Sequence, residues 1–149
     1  MVQMTATLDW KPLAGGAHLI CVDRDVIWWR LVGDVDYPDV TALFQLSERC
    51  AQQYGYTLLL IDGRKGASLT ARARRAVAER HRDLPERRNR TVVYGMSALS
   101  TGLIALTVRA ITLFAKVPPK ITICATEQEA LAVTAQERAT AQPDYKAQG

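Results

Sequence analysis

Cysteine is scarce in this 149-residue chain and histidine scarcer still: Cys21, Cys50 and Cys124 are odd in number and far apart, and His18 and His81 are isolated. Without a CxxC pair, neither a disulfide framework nor a zinc site is suggested, and a reducing, cytoplasmic compartment is the expectation. Lone histidines are seldom ligands or bases. No G-x-S-x-G, P-loop, H-E-x-x-H or Rossmann pattern occurs. Asp62 stands at a strand end but has no His or second carboxylate partner within a recognisable motif. The sequence therefore assigns no catalytic residue, no metal and no cofactor.

Long hydrophobic runs are missing as well. The longest, Leu99 to Val117, is broken by Arg109 and Lys116 and dotted with Ser100, Thr101, Thr107 and Thr112. A buried or surface-lying helix suits it better than a membrane span. The first residues lack the basic end, apolar core and small-residue cleavage site of a secretory signal. Neither an internal repeat nor a low-complexity tract stands out. Aromatic residues make up 7% of the chain, and its strands lack the exposed aromatic rows of an RNA-binding sheet, so nucleic acid is a disfavoured partner.

What is present is an ordinary globular composition, 48% hydrophobic and 23% charged, in a length that suits one domain with a real core. The net charge of +4 is modest, but its placement is not. Between positions 64 and 90 lie Arg64, Lys65, Arg72, Arg74, Arg75, Arg80, Arg82, Arg87, Arg88 and Arg90, against Glu79, Asp83 and Glu86. The remainder is slightly acidic, so the positive field belongs to one segment.

Residues 1–16 show no period and end in two glycines, which reads as a leader that either packs through Leu8 and Trp10 or stays loose. His18 to Val22 and Val26 to Val32 are apolar and β-branched around Asp23-Arg24-Asp25, a β-hairpin pattern. Trp28 and Trp29 must point to opposite faces of the second strand. Asp36 to Gly55 predicts a helix with Pro38 in its first turn, a Val40, Leu43, Phe44, Cys50, Ala51 and Tyr54 stripe, and a glycine stop. Leu58 to Ile61 are apolar without alternation, as in a central strand covered on both faces. Residues 62–68 then read as a polar, glycine-containing loop, with Ser68 placed to cap a basic helix that runs to Leu84. The inward stripe of that helix is Leu69, Ala73, Ala76, Val77 and Leu84.

Thr91 to Tyr94 reads as a strand and Ser97 to Lys116 as a helix with two apolar stripes, one through Leu99, Leu103, Leu106, Ala110 and Leu113, the other through Ile104, Val108, Ile111 and Phe114. Ile121 to Cys124 is the last strand, and Thr126 with Glu129 forms a capping box for a final helix. The expected class is α/β: a mixed sheet of four to five strands with helices packed on it, in the order β-β-α-β-α-β-α-β-α. The domain spans 17–138, followed by a polar tail at 139–149.

That order, with particular residues, resembles the STAS domain, the fold of bacterial anti-sigma factor antagonists and of the cytoplasmic part of sulfate transporters. Leu31-Val32-Gly33-Asp34-Val35-Asp36 resembles the family's G-x-L-D element before the first helix. Leu58-Leu59-Leu60-Ile61-Asp62 resembles its central strand ending in aspartate, and Val92-Val93-Tyr94-Gly95 sits where the next strand meets its helix. Thr126-Glu127-Gln128-Glu129-Ala130-Leu131 is similar to the T-x-x-E-A-L start of the closing helix. In the antagonists a D-S-S-G-type sequence puts the phosphorylated serine directly after the aspartate. Here Asp62 is followed by Gly63-Arg64-Lys65-Gly66-Ala67, and hydroxyls come only at Ser68 and Thr70. In this it is similar to the STAS-like branch grouped with lipid-binding SEC14-type domains.

Two kinds of site follow. Ser68, or Thr70 as second choice, is either a plain helix cap or a phosphoacceptor whose phosphate would meet the helix dipole and pair with Arg64, Lys65 or Arg72. Asp62, Arg64, Lys65, Arg72 and Arg75 form the candidate surface for a protein partner, for which the family implies an anti-sigma-factor-like regulator. The expected function is a non-enzymatic regulatory or scaffolding module. Its alternative is a carrier of a lipid or other small anionic ligand. The doubly striped helix is either buried or forms a homodimer seam, a lipid-pocket wall or a membrane-surface contact.

Overall fold

A computed structural model describes residues 8–83, 89–114 and 120–147, with side chains 15, 82, 83, 103, 107, 110–114 and 142–147 left out of account. Strand β1 (Lys11–Pro12) leads through a 3-10 turn (Leu13–Gly15) to β2 (Leu19–Asp23) and β3 (Val26–Val35). Helix α1 (Tyr37–Tyr54), β4 (Thr57–Leu69), α2 (Ala71–Asp83), β5 (Asn89–Tyr94), α3 (Ala98–Phe114), β6 (Lys120–Cys124) and α4 (Glu127–Ala147) follow. The strands lie in the sheet in chain order, β1-β2-β3-β4-β5-β6, antiparallel up to β3 and parallel from β3 onward.

The sheet has six strands where the sequence predicts four to five. The extra one comes from the leader, whose Lys11 and Pro12 pair with Ile20 and Leu19. Leu8 and Trp10 of the leader pack on the core, which settles the choice between packed and loose for those residues. A proline suits this edge position, where a missing N–H breaks no inner ladder.

Alternation along the strands divides the core in two. Cys21, Val26, Trp28, Leu58, Leu60, Val92 and Tyr94 face α4 through Ala130 and Ala141. Ile27, Trp29, Leu31 and Val35 face α1 and α2 through Val40, Leu43, Cys50 and Ala73. Trp28 and Trp29 are thus buried on opposite faces. Burying both faces of β3 and β4 removes large apolar side chains from water, at about 1.5–3 kcal/mol for each one fully buried.

The helix ends follow from local chemistry. Asp36 and Asp39 form a reciprocal capping box at the start of α1, and Gly55 stops it with φ of 81°. Ser47, which the apolar pattern passes over, is also on the buried side of α1. At the start of α4 the Thr126 hydroxyl accepts from the Glu129 amide, one half of the predicted capping box, while the Glu129 carboxylate accepts from the amide of Ala125, one residue before Thr126. Helix α4 runs on to Ala147, past the start of the predicted tail.

Its anchor is Asp25 in the β2–β3 turn, which accepts from Arg138 at 2.5 and 3.1 Å and from the Tyr56 hydroxyl at 2.6 Å. Arg90 and Glu137 add a second ion pair. In α3, Ile104 and Val108 are half-buried, whereas Leu99 and Leu106 are 77% and 61% exposed. The described part of the first predicted stripe therefore faces outward. The side chains of the rest of both stripes and of Arg82 are not described, and Leu84, Arg87 and Arg88 lie outside the described residues.

Candidate functional site

The segment 62–68 is a strand, where the sequence predicts a loop. Strand β4 continues to Leu69 because β3 is itself ten residues long and offers a partner ladder: Val32 pairs with Lys65, Gly33 with Gly66, and Val35 with Leu69. Two irregularities, between Arg30 and Val32 and between Gly33 and Val35, each absorb one extra residue on β4. Gly63 and Gly66 suit this arm because a Cβ on Gly63 would lie 2.4 Å from Met96 Cγ, and one on Gly66 3.0 Å from Leu31 Cδ1. Polar composition and glycines suggested a loop, but the available ladder decided the outcome.

Asp62 sits where the apolar part of β4 passes into this arm, between Arg30 on β3 and Tyr94 on β5 in the ladder. It is only 4% exposed. Arg64 folds back on it, donating Nε to Oδ1 at 3.0 Å, an NH2 to Oδ2 at 2.7 Å and its backbone N–H to Oδ1 at 3.1 Å. Arg30 donates Nε to Oδ2 at 3.3 Å and stacks its other face on Trp10 of the leader, 4.2 Å from the ring centre.

Burial alone would raise the Asp62 carboxyl pKa, but the Arg64 hydrogen bonds and the charges of Arg64 and Arg30 outweigh it and hold it below the usual carboxylate range. Beside it, burial first and the Asp62 charge second push the Tyr94 phenol up. Arg64 passes over Tyr94, 5.6 Å from the ring centre. Gly95 makes this passage possible: its φ is +76°, and a Cβ there would meet Arg64 Cγ at 2.4 Å.

The two candidate hydroxyls are both tied to carboxylates. Ser68 donates its backbone N–H and its hydroxyl to Asp34 Oδ1, at 3.1 and 3.2 Å. Thr70, not Ser68, caps α2. Because the strand runs to Leu69, the cap position falls one residue further on, and Thr70 Oγ1 accepts from the Ala73 amide at 3.2 Å. The same hydroxyl donates to Asp36 Oδ1 at 2.8 Å, joining the starts of α1 and α2. The Tyr37 amide, first, and then the Thr70 hydroxyl keep the Asp36 carboxyl below its ordinary pKa.

Beyond Thr70 the arginines of α2 spread outward. Arg72, Arg74 and Arg75 are exposed; Arg72 stacks on the Tyr37 ring at 4.3 Å, and Arg74 donates to the Leu69 carbonyl at 3.1 Å. Lys65 is exposed on the strand arm. The structure thus brings Asp62 and Arg64 together, and links Thr70, Asp36, Tyr37 and Arg72 in a second group. Arg75 and Lys65 stand out in solvent.

Sequence reading missed Arg30, Trp10, Tyr94 and Tyr37 as members of these groups. Arg30 carried a signal: one charge in an otherwise apolar strand requires a counter-charge at the same height on a neighbouring strand.

His18 is structural. Its Nδ1 accepts from the Val32 amide at 2.9 Å and its Nε2 donates to the Asp34 carbonyl at 2.9 Å, closing the top of β3. The three cysteines are free and buried, and burial raises each thiol pKa, which makes them poor nucleophiles. Among the described residues no group of His, Cys, Asp or Glu is placed to hold a metal ion. Among them, too, no helix is long and apolar enough to cross a membrane.

This architecture matches known structures. The anti-sigma factor antagonist SpoIIAA in its unphosphorylated form superimposes with a TM-score of 0.51 at 22% identity, over 80% of this chain and 98% of that one. An uncharacterised Shewanella loihica protein described as having a SpoIIAA-like fold gives a TM-score of 0.54 at 17% identity, over 79% and 92% of the two chains. The fold is STAS-like. No protein-family model matches the sequence, and no curated protein matches it either. In this STAS-like domain β4 runs on for seven residues past Asp62, to Leu69, which keeps Asp62 well away from the α2 cap at Thr70.

Proposed function

We propose that this STAS-like domain is a non-enzymatic, cytoplasmic regulatory module that binds an acidic protein partner through the exposed basic face of α2, flanked by Lys65 on the strand arm. The observation that carries this reading is the exposure of Arg72, Arg74 and Arg75 within two turns of a helix in a SpoIIAA-like fold. Asp62 and Arg64 serve it from behind: their mutual pairing fixes the base of the arm that leads to α2. A positive face of this kind accelerates encounter with a negative partner and selects against positive ones.

Phosphorylation at Thr70 or Ser68 belongs to the same reading. A phosphate on Thr70 would displace its hydrogen bond to Asp36 and loosen the junction of α1 and α2, and one on Ser68 would displace its bond to Asp34 and loosen the pairing of the arm with β3, in each case by setting two negative groups side by side. Intact mass after incubation with kinases of the native host checks it. No modification at 68 or 70 removes the gate and leaves the basic face standing.

The test of partner binding is affinity capture from the native host with wild type and with Arg72→Glu plus Arg75→Glu. A captured protein lost only in the double variant supports the reading; equal capture by both overturns it.

The rival reading, a carrier of lipid or another anionic ligand, draws on the exposed Leu99 and Leu106 of α3. Native mass spectrometry separates the two: retained lipid favours the carrier, clean apoprotein the partner module.

A further inference from the structure

Where α1 and α2 meet, Phe44 and Ala76 rest against the core on one side, and above them runs a pattern that the basic face alone does not explain. Arg72 lies over the ring of Tyr37 at 4.3 Å, and Arg80 lies over the ring of Phe44 at 4.4 Å while donating to the Phe44 carbonyl and pairing with Glu48. Both helices cross between parallel strands and so run the same way. Positions 37 and 44 on one helix and 72 and 80 on the other are each about 11–12 Å apart along the axis. They form two rungs, each an arginine on an aromatic ring.

Between the rungs there is no third. The helix periodicity that brings Arg72 and Arg80 to the same side also brings Ala76 there, and Ala76 has only a methyl group. Thr41 answers it from α1. The result is an open groove of about 760 Å³ lined by Tyr37, Thr41, Phe44, Ala76, Glu79 and Arg80 among others. From Tyr37 to Glu48 it runs about 16 Å, or three helical turns. It is too open to enclose a small molecule, and two adjacent helices offer the ridge-and-groove surface that a third helix fits.

Resting on the reading of α2 as a partner face, the geometry points to this groove as the docking site for an acidic amphipathic helix of a partner protein. One bulky apolar side chain of that helix fills the notch over Ala76 and Thr41, and a carboxylate one turn away pairs with Arg72. The groove's own lining is balanced, Glu48 and Glu79 against Arg49 and Arg80, so charge complementarity at the Tyr37 end, where Arg72 lies over the ring, selects this occupant. Stacking on Tyr37 uses the face of the Arg72 guanidinium and leaves its N–H edge for a carboxylate. Arg72 feels the charge of the Asp36 carboxylate beside Tyr37, but its described contact is the ring. Next to it Arg75 is also exposed, and the acidic Glu79 lies a turn further on, toward the far end of the groove. The proposed register therefore places the carboxylates of the incoming helix at the Arg72 end.

A phage-displayed library of 18-residue helical peptides, selected on the full chain, supplies the probe, and fluorescence anisotropy with the selected synthetic peptide measures it. The expected winners are acidic and carry a bulky apolar residue one turn from a carboxylate. Their binding should fall more than tenfold with Ala76→Trp, which fills the notch, and with Arg72→Glu, and should not change with Gln128→Ala at the start of α4. Thr41→Trp fills the notch from α1 and serves if Ala76→Trp fails to fold by circular dichroism. Peptides insensitive to both notch-filling variants overturn the groove. If those same peptides lose binding in Arg72→Glu plus Arg75→Glu, the basic face survives without it. A selection that yields no acidic helical sequences also overturns it.

Discussion

Asp62 is a buried carboxylate answered by two guanidinium groups, and the sign of its effect on stability follows from that. Its folded-state pKa lies below the ordinary value near 3.9, so its contribution is fully present above that value and is lost as pH falls through the depressed pKa. Because Arg30 and Arg64 are partly solvated, the loss expected for Asp62→Asn at pH 7 is about 2 kcal/mol, less than the 3–5 typical of a fully buried pair. Urea denaturation of the two proteins should show that gap at pH 7 and show it closing as pH falls below the ordinary carboxylate range. A gap that widens toward acid contradicts the ion-pair account. Thr70 and Ser68 give a second contrast at this scale. Thr70→Ala removes a helix cap and should cost about 1 kcal/mol, whereas Ser68→Ala removes one exposed hydroxyl contact and should cost less than about 0.5. Thermal unfolding of the pair distinguishes them, and a larger loss for Ser68→Ala would return the cap to position 68.

Among the elements, those with strong periodicity or clear punctuation were legible in the sequence. Helix α1 carried Asp36, Pro38 and Gly55 at its ends, and α4 carried Thr126 and Glu129 at its start. The unalternating run of β4 announced a strand covered on both sides. What escaped was decided by neighbours. The arm 62–69 became a strand because β3 was long enough to pair with it, a fact about β3 that no property of the arm announces. For the same reason α2 starts later than its sequence suggests, and the cap falls on Thr70. In the leader, Lys11 and Pro12 have no strand propensity of their own, and only β2 beside them makes a ladder. The anchoring of α4 was equally hidden, since Asp25 and Arg138 are 113 positions apart. Asp25→Ala would leave the Arg138 guanidinium and the Tyr56 hydroxyl without that acceptor. A loss of about 2–4 kcal/mol is expected, with hydrogen exchange rising most in α4. Exchange that rises uniformly, or a loss below about 1 kcal/mol, contradicts the anchor.

For the whole molecule, chain-order strands and same-handed crossovers set α1 and α2 side by side on one face of the sheet, with α4 on the other. That division gives the STAS-like domain one helix pair with its outer side open and basic and an opposite face sealed by α4 and the leader. The functional reading needs α2 to be held as a fixed platform, and the platform is only as rigid as the arm that carries it. Hydrogen exchange by NMR on the full chain tests this directly. The Thr70 amide bonds to the Val35 carbonyl at 3.0 Å, the Ser68 amide to Asp34 and the Arg64 amide to Asp62. If β4 continues as an ordered strand, the amides of Arg64 and Thr70 should exchange at least a hundredfold more slowly than free-peptide rates. Exchange of 63–69 at free-peptide rates, with 57–61 protected, would make the arm a loop and leave α2 without its fixed base.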